Sequence, residues 1–231
     1  MDNGLKIIYE DNHILVVIKP ANLLSQEDHS GDLDLLRLLK EYLKEKYQKP
    51  GNVFLGLVHR LDRRVSGLMV YAKTSKAASR ISESIRKREF YKEYFALISG
   101  AITPEQETLK NYLRKLQTSH GPISEVCSKE ESDAKEAILE YRLIKSIVID
   151  DDIISLLEVN LITGRYNQIR VQFSHIGHPL LNDLKYNYQG PTYGDELGLI
   201  CSGLKFPHPT KKEIMNFKYF PETGIWKKLK E

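Results

Sequence analysis

An acidic residue lies among arginines in the segment 57–71, whose sequence is LVHRLDRRVSGLMVY. The acid is Asp62, and its neighbours are Arg60, Arg63 and Arg64. Charged clusters of this kind occur at catalytic sites, but an exposed carboxylate and arginine also pair on ordinary surfaces, where the pair contributes about 0 to 1 kcal/mol. The residue types alone therefore leave two interpretations of Asp62 open, a catalytic carboxylate and an acid that caps a turn or balances its neighbours.

Apolar residues flank this charged segment on both sides and predict two short buried strands. They are Phe54, Leu55, Leu57 and Val58 before it, and Leu68, Met69 and Val70 after it. Asp62 is thus expected on a connection that is tied to the core at each end, which is a common setting for a functional residue.

The order of these charges, His-Arg-Leu-Asp-Arg followed by Ser-Gly-Leu, resembles the catalytic motif of RluA-type pseudouridine synthases. The resemblance implies that Asp62 is the nucleophile. Val65 stands where the family most often has threonine, a mild departure.

Two further segments are similar to motifs of the same family. Residues 92–100, KEYFALISG, match the segment whose tyrosine faces the target base, which implies that role for Tyr94. Residues 163–171, TGRYNQIRV, match a segment whose arginine pairs with the aspartate, which implies that Arg165 holds Asp62 ionised and aimed. Asn167 replaces the usual histidine of that segment.

Positive charge is concentrated near the candidate nucleophile. Residues 60–92 contain ten basic and three acidic residues, although the whole chain carries a net charge of only +3. Such a patch is expected to attract a polyanion, and the resemblance makes that partner structured RNA. Arg60 is expected to fill the gap left by the flipped uridine. The residues expected to contact RNA are Arg60, Arg63, Arg64, Lys73, Lys92, Arg114, Asn167 and Arg170.

Other functional classes find little support in the sequence. Cys127 and Cys201 are far apart, and no cysteine or acid stands at ligand spacing from His175 and His178, so neither a disulfide framework nor a metal site is expected. Cofactor motifs are absent as well, and we expect no cofactor. The chain also lacks a membrane-length apolar stretch and an apolar N-terminal signal, which favours a cytoplasmic protein, and a monomer is the simplest expectation.

The apolar periodicity predicts short strands separated by a few helices. Helices are expected over 32–47, from Thr74 or Ser75 to about 88, and over 167–176, and an antiparallel hairpin over 134–149 and 153–162. Residues 101–132 look like a hairpin and a mobile loop. The prediction is a single α+β catalytic domain over 1–231, with a mixed, mainly antiparallel sheet, flanking helices, a central active-site cleft and no RNA-binding S4 module.

The expected function is isomerisation of selected uridines to pseudouridine in ribosomal or transfer RNA. The departures at Val65 and Asn167 keep a second interpretation open, an inactive RNA-binding protein on the same fold. A hydrolase with an aspartate nucleophile acting on small molecules is weaker, because it leaves the basic surface unexplained. The sequence does not identify the RNA, the uridine or the chemical route of the Asp62 step.

Overall fold

The structure is a computed structural model that describes residues 4–119, 121–222 and 224–229. The chain forms two compact units. The first unit consists of Met1–Lys92 and Cys201–Tyr219, and the second unit of Glu93–Ile200 and Phe220–Glu231. The prediction of one domain over 1–231, and that of a central cleft, stay predictions.

The elements of the described residues are, in chain order, β1 (Lys6–Glu10), β2 (Ile14–Lys19), α1 (Leu35–Lys46), β3 (Gly56–Leu57), β4 (Ser66–Ala72), α2 (Ser75–Arg86), β5 (Tyr91–Ser99), β6 (Gln106–Thr118), β7 (Gly121–Cys127), β8 (Lys135–Ile149), β9 (Asp152–Leu161), α3 (Gln168–His175), a 3-10 helix (Leu184–Tyr186), β10 (Leu199–Pro207), β11 (Ile214–Lys218) and α4 (Gly224–Lys228).

The first unit is built around β2 and β4, whose residues are all buried. These strands pair antiparallel from Ile14 opposite Ala72 to Lys19 opposite Gly67. β1 continues the sheet beside β2, and β10 continues it beside β4, with β11 on β10 and β3 on β4. Because β2 and β4 are completely buried, the connections at their ends are attached to the core of the unit.

Two capped helices belong to this unit. The Asp34 carboxylate accepts a hydrogen bond from the Arg37 N–H at the start of α1, and the Thr74 hydroxyl accepts one from the Ala77 N–H at the start of α2. The stripe of leucines predicted for α1 is buried at positions 35, 39 and 43.

Gly67 has a backbone conformation that only glycine adopts easily, with φ of +121°. An added Cβ would lie 2.6 Å from the backbone nitrogen of Cys201 and closer still to its carbonyl oxygen. The glycine that follows the charged segment is therefore required for the close approach of β4 to β10.

The second unit is an antiparallel sheet with the strand order β5-β9-β8-β6-β7. The β8–β9 hairpin turns at Asp150 and Asp151, which both have positive φ, as a two-residue hairpin turn with the right twist requires. A core cluster in this unit includes Leu97, Leu181 and Trp226.

The α+β class and the mainly antiparallel pairing are confirmed. The expectation of a hairpin and a mobile loop over 101–132 understates the regularity of β6 and β7, which pair over seven residues. His120 lies outside the described residues. The prediction that Phe54 is buried in a strand is wrong, since it is 51% exposed and β3 begins only at Gly56.

Candidate active site

Asp62 lies on the connection between β3 and β4 of the first unit, and it is half-buried. It opens a tight turn that the Val65 N–H closes by donating to the Asp62 carbonyl oxygen at 3.0 Å. Leu61 and Val65, on either side of the turn, are 6% and 2% exposed. Two buried apolar side chains thus anchor the connection on which the candidate nucleophile lies.

Two buried polar side chains hold the backbone of this connection. Ser25 Oγ donates to the Leu61 carbonyl oxygen at 2.7 Å and accepts from the Leu61 N–H at 3.1 Å. Lys19 Nζ donates to the carbonyl oxygen of Arg63 at 3.0 Å, and also to those of Pro20 and Leu23. Lys19 and Ser25 were not among the predicted site residues. A lysine at the end of the otherwise apolar strand β2 is a signal that could have identified Lys19.

His59 fixes the start of the connection. The Val70 N–H of β4 donates to His59 Nε2 at 3.0 Å, and the Phe90 ring packs against the imidazole with centroids 5.4 Å apart. Burial, with the nearby Lys92 ammonium, lowers the pKa of His59 to about 3, so the ring is neutral at physiological pH. Because Nε2 accepts a hydrogen bond, the proton of the neutral ring is on Nδ1, which is buried without a hydrogen-bond partner among the described residues.

The predicted basic residues of the first unit differ in their surroundings. Arg60 and Arg63 are exposed, and Arg64 is half-exposed. Arg63 Nη1 pairs with Asp32 at 2.6 Å, a surface ion pair whose side chains are about half exposed. Lys92 is half-buried, and desolvation of its ammonium group lowers the pKa of that group.

Lys73 is engaged inside the unit. Its Nζ contacts Glu10 Oε1 at 2.7 Å, and its side chain is only 10% exposed. Burial alone would raise the pKa of Glu10, but hydrogen bonds from Lys46, Lys73, Tyr47 and Tyr42 outweigh it and lower that pKa to about 2. The ionised Glu10 therefore ties Lys73 to β1 and α1. The predicted contact of Lys73 with RNA stays a prediction.

Tyr94 and Arg165, the other two predicted catalytic residues, belong to the second unit. Tyr94 lies on β5 opposite Val159 of β9 and is 5% exposed. Arg165 is exposed and precedes α3, and its Nε donates to the Glu136 carbonyl oxygen at 2.8 Å. The Arg165 N–H donates to Gln168 Oε1 at 3.0 Å, which fixes the backbone of this turn. The predicted pairing of Arg165 with Asp62 stays a prediction.

Arg170 and Asn167 of the same segment are buried in the second unit. Arg170 pairs with Asp183 through two hydrogen bonds of 2.8 and 2.6 Å, with side chains 8% and 0% exposed. Asn167 has a left-handed backbone with φ of 51°, and its Nδ2 donates to the Tyr186 hydroxyl at 3.1 Å. That hydroxyl also accepts from the Ser124 N–H of β7 at 2.9 Å.

The guanidinium of Arg170 and the Nδ2 of Asn167 thus join α3 to its surroundings. Arg114 of β6 is likewise paired, with Glu125 and Glu131. Arg170 is buried in its ion pair, whereas the paired Arg114 side chain is 36% exposed. The contacts with RNA predicted for Arg114, Asn167 and Arg170 stay predictions.

Among the described residues, no group of histidine, cysteine or acidic side chains is arranged to hold a metal ion. In the same part of the chain, the helices are too short or too polar to cross a lipid bilayer.

A family model described as RNA pseudouridylate synthase matches residues 13–175 of this chain. A protein of Aquifex aeolicus described as an uncharacterized RNA pseudouridine synthase is 33% identical over 231 residues, covering 95% of this chain and 70% of that protein. The ribosomal large subunit pseudouridine synthase D of Escherichia coli O6:H1 is 33% identical, covering 97% of this chain and 65% of that protein. The corresponding synthase C of Buchnera aphidicola is 30% identical, covering 90% and 64%. The chain thus spans about two thirds of the length of these relatives.

Two solved human structures share the fold. They are RNA pseudouridylate synthase domain containing 1, with a TM-score of 0.74 and 24% identity, and domain containing 4, with a TM-score of 0.74 and 22% identity. The alignments cover 94% and 93% of this chain, and 84% and 87% of the human chains.

Proposed function

The chain belongs to the RNA pseudouridylate synthase family, and on this premise we propose that it isomerises uridines in structured RNA. The reaction breaks the N-glycosidic bond of the uridine and joins C5 of the uracil to C1′ of the ribose. C5 then loses its proton and the freed N1 gains one. The atoms of the base are therefore unchanged, and this isomerisation consumes no redox or group donor.

Asp62 is the proposed nucleophile. The observation that carries this assignment is its place on a turn whose backbone is held by buried side chains between β3 and β4. A fixed backbone lets a carboxylate keep one orientation without reorganisation during the reaction. Attack on the ribose C1′, attack on the uracil ring and assisted elimination remain three routes for the Asp62 step.

Three other residues have proposed roles around this carboxylate. Arg165 orients Asp62, because a guanidinium favours the ionised form of a carboxylate and binds it through two parallel donors. Tyr94 stacks on the uracil and takes part in removing the C5 proton. Arg60 occupies the gap that the flipped uridine leaves in the RNA.

Large-subunit ribosomal RNA is the proposed substrate, since two of the relatives are named for it, and transfer RNA is the second candidate. The proposed contacts with its phosphates come from exposed basic side chains of the first unit. They are Arg60, Arg63, Arg86, Lys87 and Arg88, together with the half-exposed Arg64. A cytoplasmic monomer is the simplest proposal for the enzyme that acts on this RNA.

The decisive test uses RNA labelled with tritium at uridine C5. The wild-type protein is expected to release tritium, and Asp62→Asn is expected to abolish the release while RNA binding stays within about threefold, because the amide keeps the shape of the carboxylate but not its nucleophilicity. Asp28→Asn is the control, since this carboxylate is exposed on a surface loop. Turnover by Asp62→Asn would contradict the nucleophile assignment, and RNA binding without release by the wild type would favour the inactive RNA-binding protein.

Arg165→Lys tests the orienting role. Lysine keeps the charge but loses the planar pair of donors, so turnover is expected to fall by about 10- to 100-fold, which corresponds to about 1.4 to 2.8 kcal/mol. A rate within about twofold of the wild type would place Arg165 outside the reaction.

A further inference from the structure

We propose that Ser25 is a positioning residue for Asp62. Its hydroxyl hydrogen-bonds both backbone polar groups of Leu61, the residue just before the nucleophile, at 2.7 and 3.1 Å. The inference rests on the proposed function of Asp62, and it assigns catalytic importance to a serine 37 positions away in sequence, beyond the three matched motifs.

The geometry fixes the peptide planes on both sides of Asp62. The Leu61 carbonyl belongs to the peptide that enters Asp62, and Ser25 Oγ holds that oxygen. The Asp62 carbonyl belongs to the peptide that leaves it, and the Val65 N–H holds that oxygen at 3.0 Å. Because φ and ψ are the only soft backbone torsions of a residue, two fixed planes determine the direction of the Cα–Cβ bond from which the Asp62 carboxylate extends. Loss of the Ser25 hydroxyl releases one of them.

Ser25 can fix the position of Leu61 because burial and hydrogen bonds fix Ser25 itself. It is 5% exposed, and its carbonyl oxygen accepts a hydrogen bond from the Tyr71 hydroxyl at 3.2 Å. Tyr71 is fully buried on β4, and burial raises the pKa of its phenol, so the hydroxyl keeps its proton and remains a donor. The adjacent Leu24 carbonyl accepts from the Leu35 N–H at the start of α1 at 2.8 Å. Ser25 thus connects the backbone of Leu61 to both β4 and α1.

A serine with only a structural role would affect stability but not the kcat of the folded enzyme. The test therefore measures kcat in two variants whose side chains have equal shape and differ only in the hydroxyl. Ser25→Thr keeps the hydroxyl and Ser25→Val replaces it with a methyl group, with the same steric load. Ser25→Ala supplements this pair without adding volume.

The matched control is Ser155→Ala in the second unit. Ser155 is also fully buried, and its hydroxyl also makes two hydrogen bonds, one donated to the Gly100 carbonyl oxygen and one shared with Ser146, each of 2.8 Å. This variant loses comparable buried hydrogen bonds away from the connection that carries Asp62.

The measured quantities are kcat and KM for tritium release from a large-subunit ribosomal RNA transcript, together with Tm. We expect Ser25→Val and Ser25→Ala to lower kcat by about 100-fold with KM within about twofold, since a displacement of about 1 Å at a reacting group has an effect of that size. Ser25→Thr is expected to stay within about tenfold of the wild-type kcat. Ser155→Ala is expected to lower Tm while keeping kcat.

Equal kcat values for Ser25→Thr and Ser25→Val would overturn the inference, as would an equal loss of kcat in Ser155→Ala at matched Tm. These results differ from a failure of the proposed function. The proposed function, and this inference with it, would be overturned if the wild type released no tritium or if Asp62→Asn released it fully. The inference alone would be overturned if the wild type were active, Asp62→Asn were inactive and Ser25→Val kept the wild-type kcat.

Discussion

The connection over 58–65 in the first unit and the segment over 163–170 in the second unit are both rich in charged and polar residues, yet they are stabilised in opposite ways. The connection that carries Asp62 is held through its backbone, by Ser25 and Lys19, which lie far away in sequence. The second segment is held through its own side chains, including the buried pair of Arg170 with Asp183.

The difference explains which motif residues remain available for RNA or substrate. Where other residues hold the backbone, the side chains of the motif can stay at the surface, as Arg60 and Arg63 do. Where the motif side chains hold the fold, as Arg170 and Asn167 do, their donors are already used. A charged pattern in sequence does not by itself distinguish these two cases.

Among the variants that test this difference between the two segments, Arg170→Met is expected to have the largest effect on stability. The substitution leaves the Asp183 carboxylate buried without its partner, so the free energy of unfolding should fall by about 3 to 5 kcal/mol. Urea unfolding measures the loss. Arg165→Met is the control in the same segment, because Arg165 is exposed, and it should change stability by about 0.5 kcal/mol or less. Similar small losses in both variants would contradict the structural role of Arg170.

Gly67→Ala tests the first residues of β4, directly after the connection that carries Asp62. Backbone strain at φ of +121° and the contact with the Cys201 backbone should together destabilise the protein by about 3 kcal/mol. Gly31 also has a positive φ, of +72°, but an added Cβ there would meet no atom within 4 Å, so Gly31→Ala should destabilise by only about 1 kcal/mol. Equal losses in thermal unfolding would show that the contact with Cys201 is unimportant.

A smaller effect is expected from Asn167→Ala in the second unit. Alanine loses the hydrogen bond to Tyr186 and fits the left-handed backbone less well, so the free energy of unfolding should fall by about 2 kcal/mol. Asn167→Gly relieves the backbone strain and isolates the hydrogen bond, with an expected loss of about 1 kcal/mol. If Asn167→Ala altered RNA affinity at unchanged stability, the internal role of Asn167 would be contradicted.

The smallest effect on stability is expected from Arg60→Ala. Arg60 is exposed, so unfolding should change by about 0.5 kcal/mol or less. RNA affinity should fall, and the slope of log affinity against log salt should decrease by about 1 if Arg60 contacts a phosphate. Filter binding at several salt concentrations measures this slope. Arg37→Ala, at an exposed arginine paired with Glu41 on α1, is the control and should leave the slope unchanged.

Much of the fold was predictable because its signals are local. The predicted helix ends agree closely with α1 and α2, where Asp34 and Thr74 cap the first turns. The β8–β9 hairpin was predictable from two apolar runs around Asp150 and Asp151. Phe54 was misassigned because an apolar side chain near a strand carries no local sign of whether a neighbour covers it.

By itself, the sequence determined the family motifs, the candidate nucleophile Asp62 and the α+β class, because each depends on residue types at short spacing. Only the tertiary structure decided that Ser25 and Lys19 hold the backbone around Asp62, and that Lys73, Asn167 and Arg170 are used inside their units. The physical reason is that a hydrogen bond or ion pair depends on distances of about 3 Å between atoms. Folding creates those distances between residues far apart in the chain, and spacing in the sequence does not encode them.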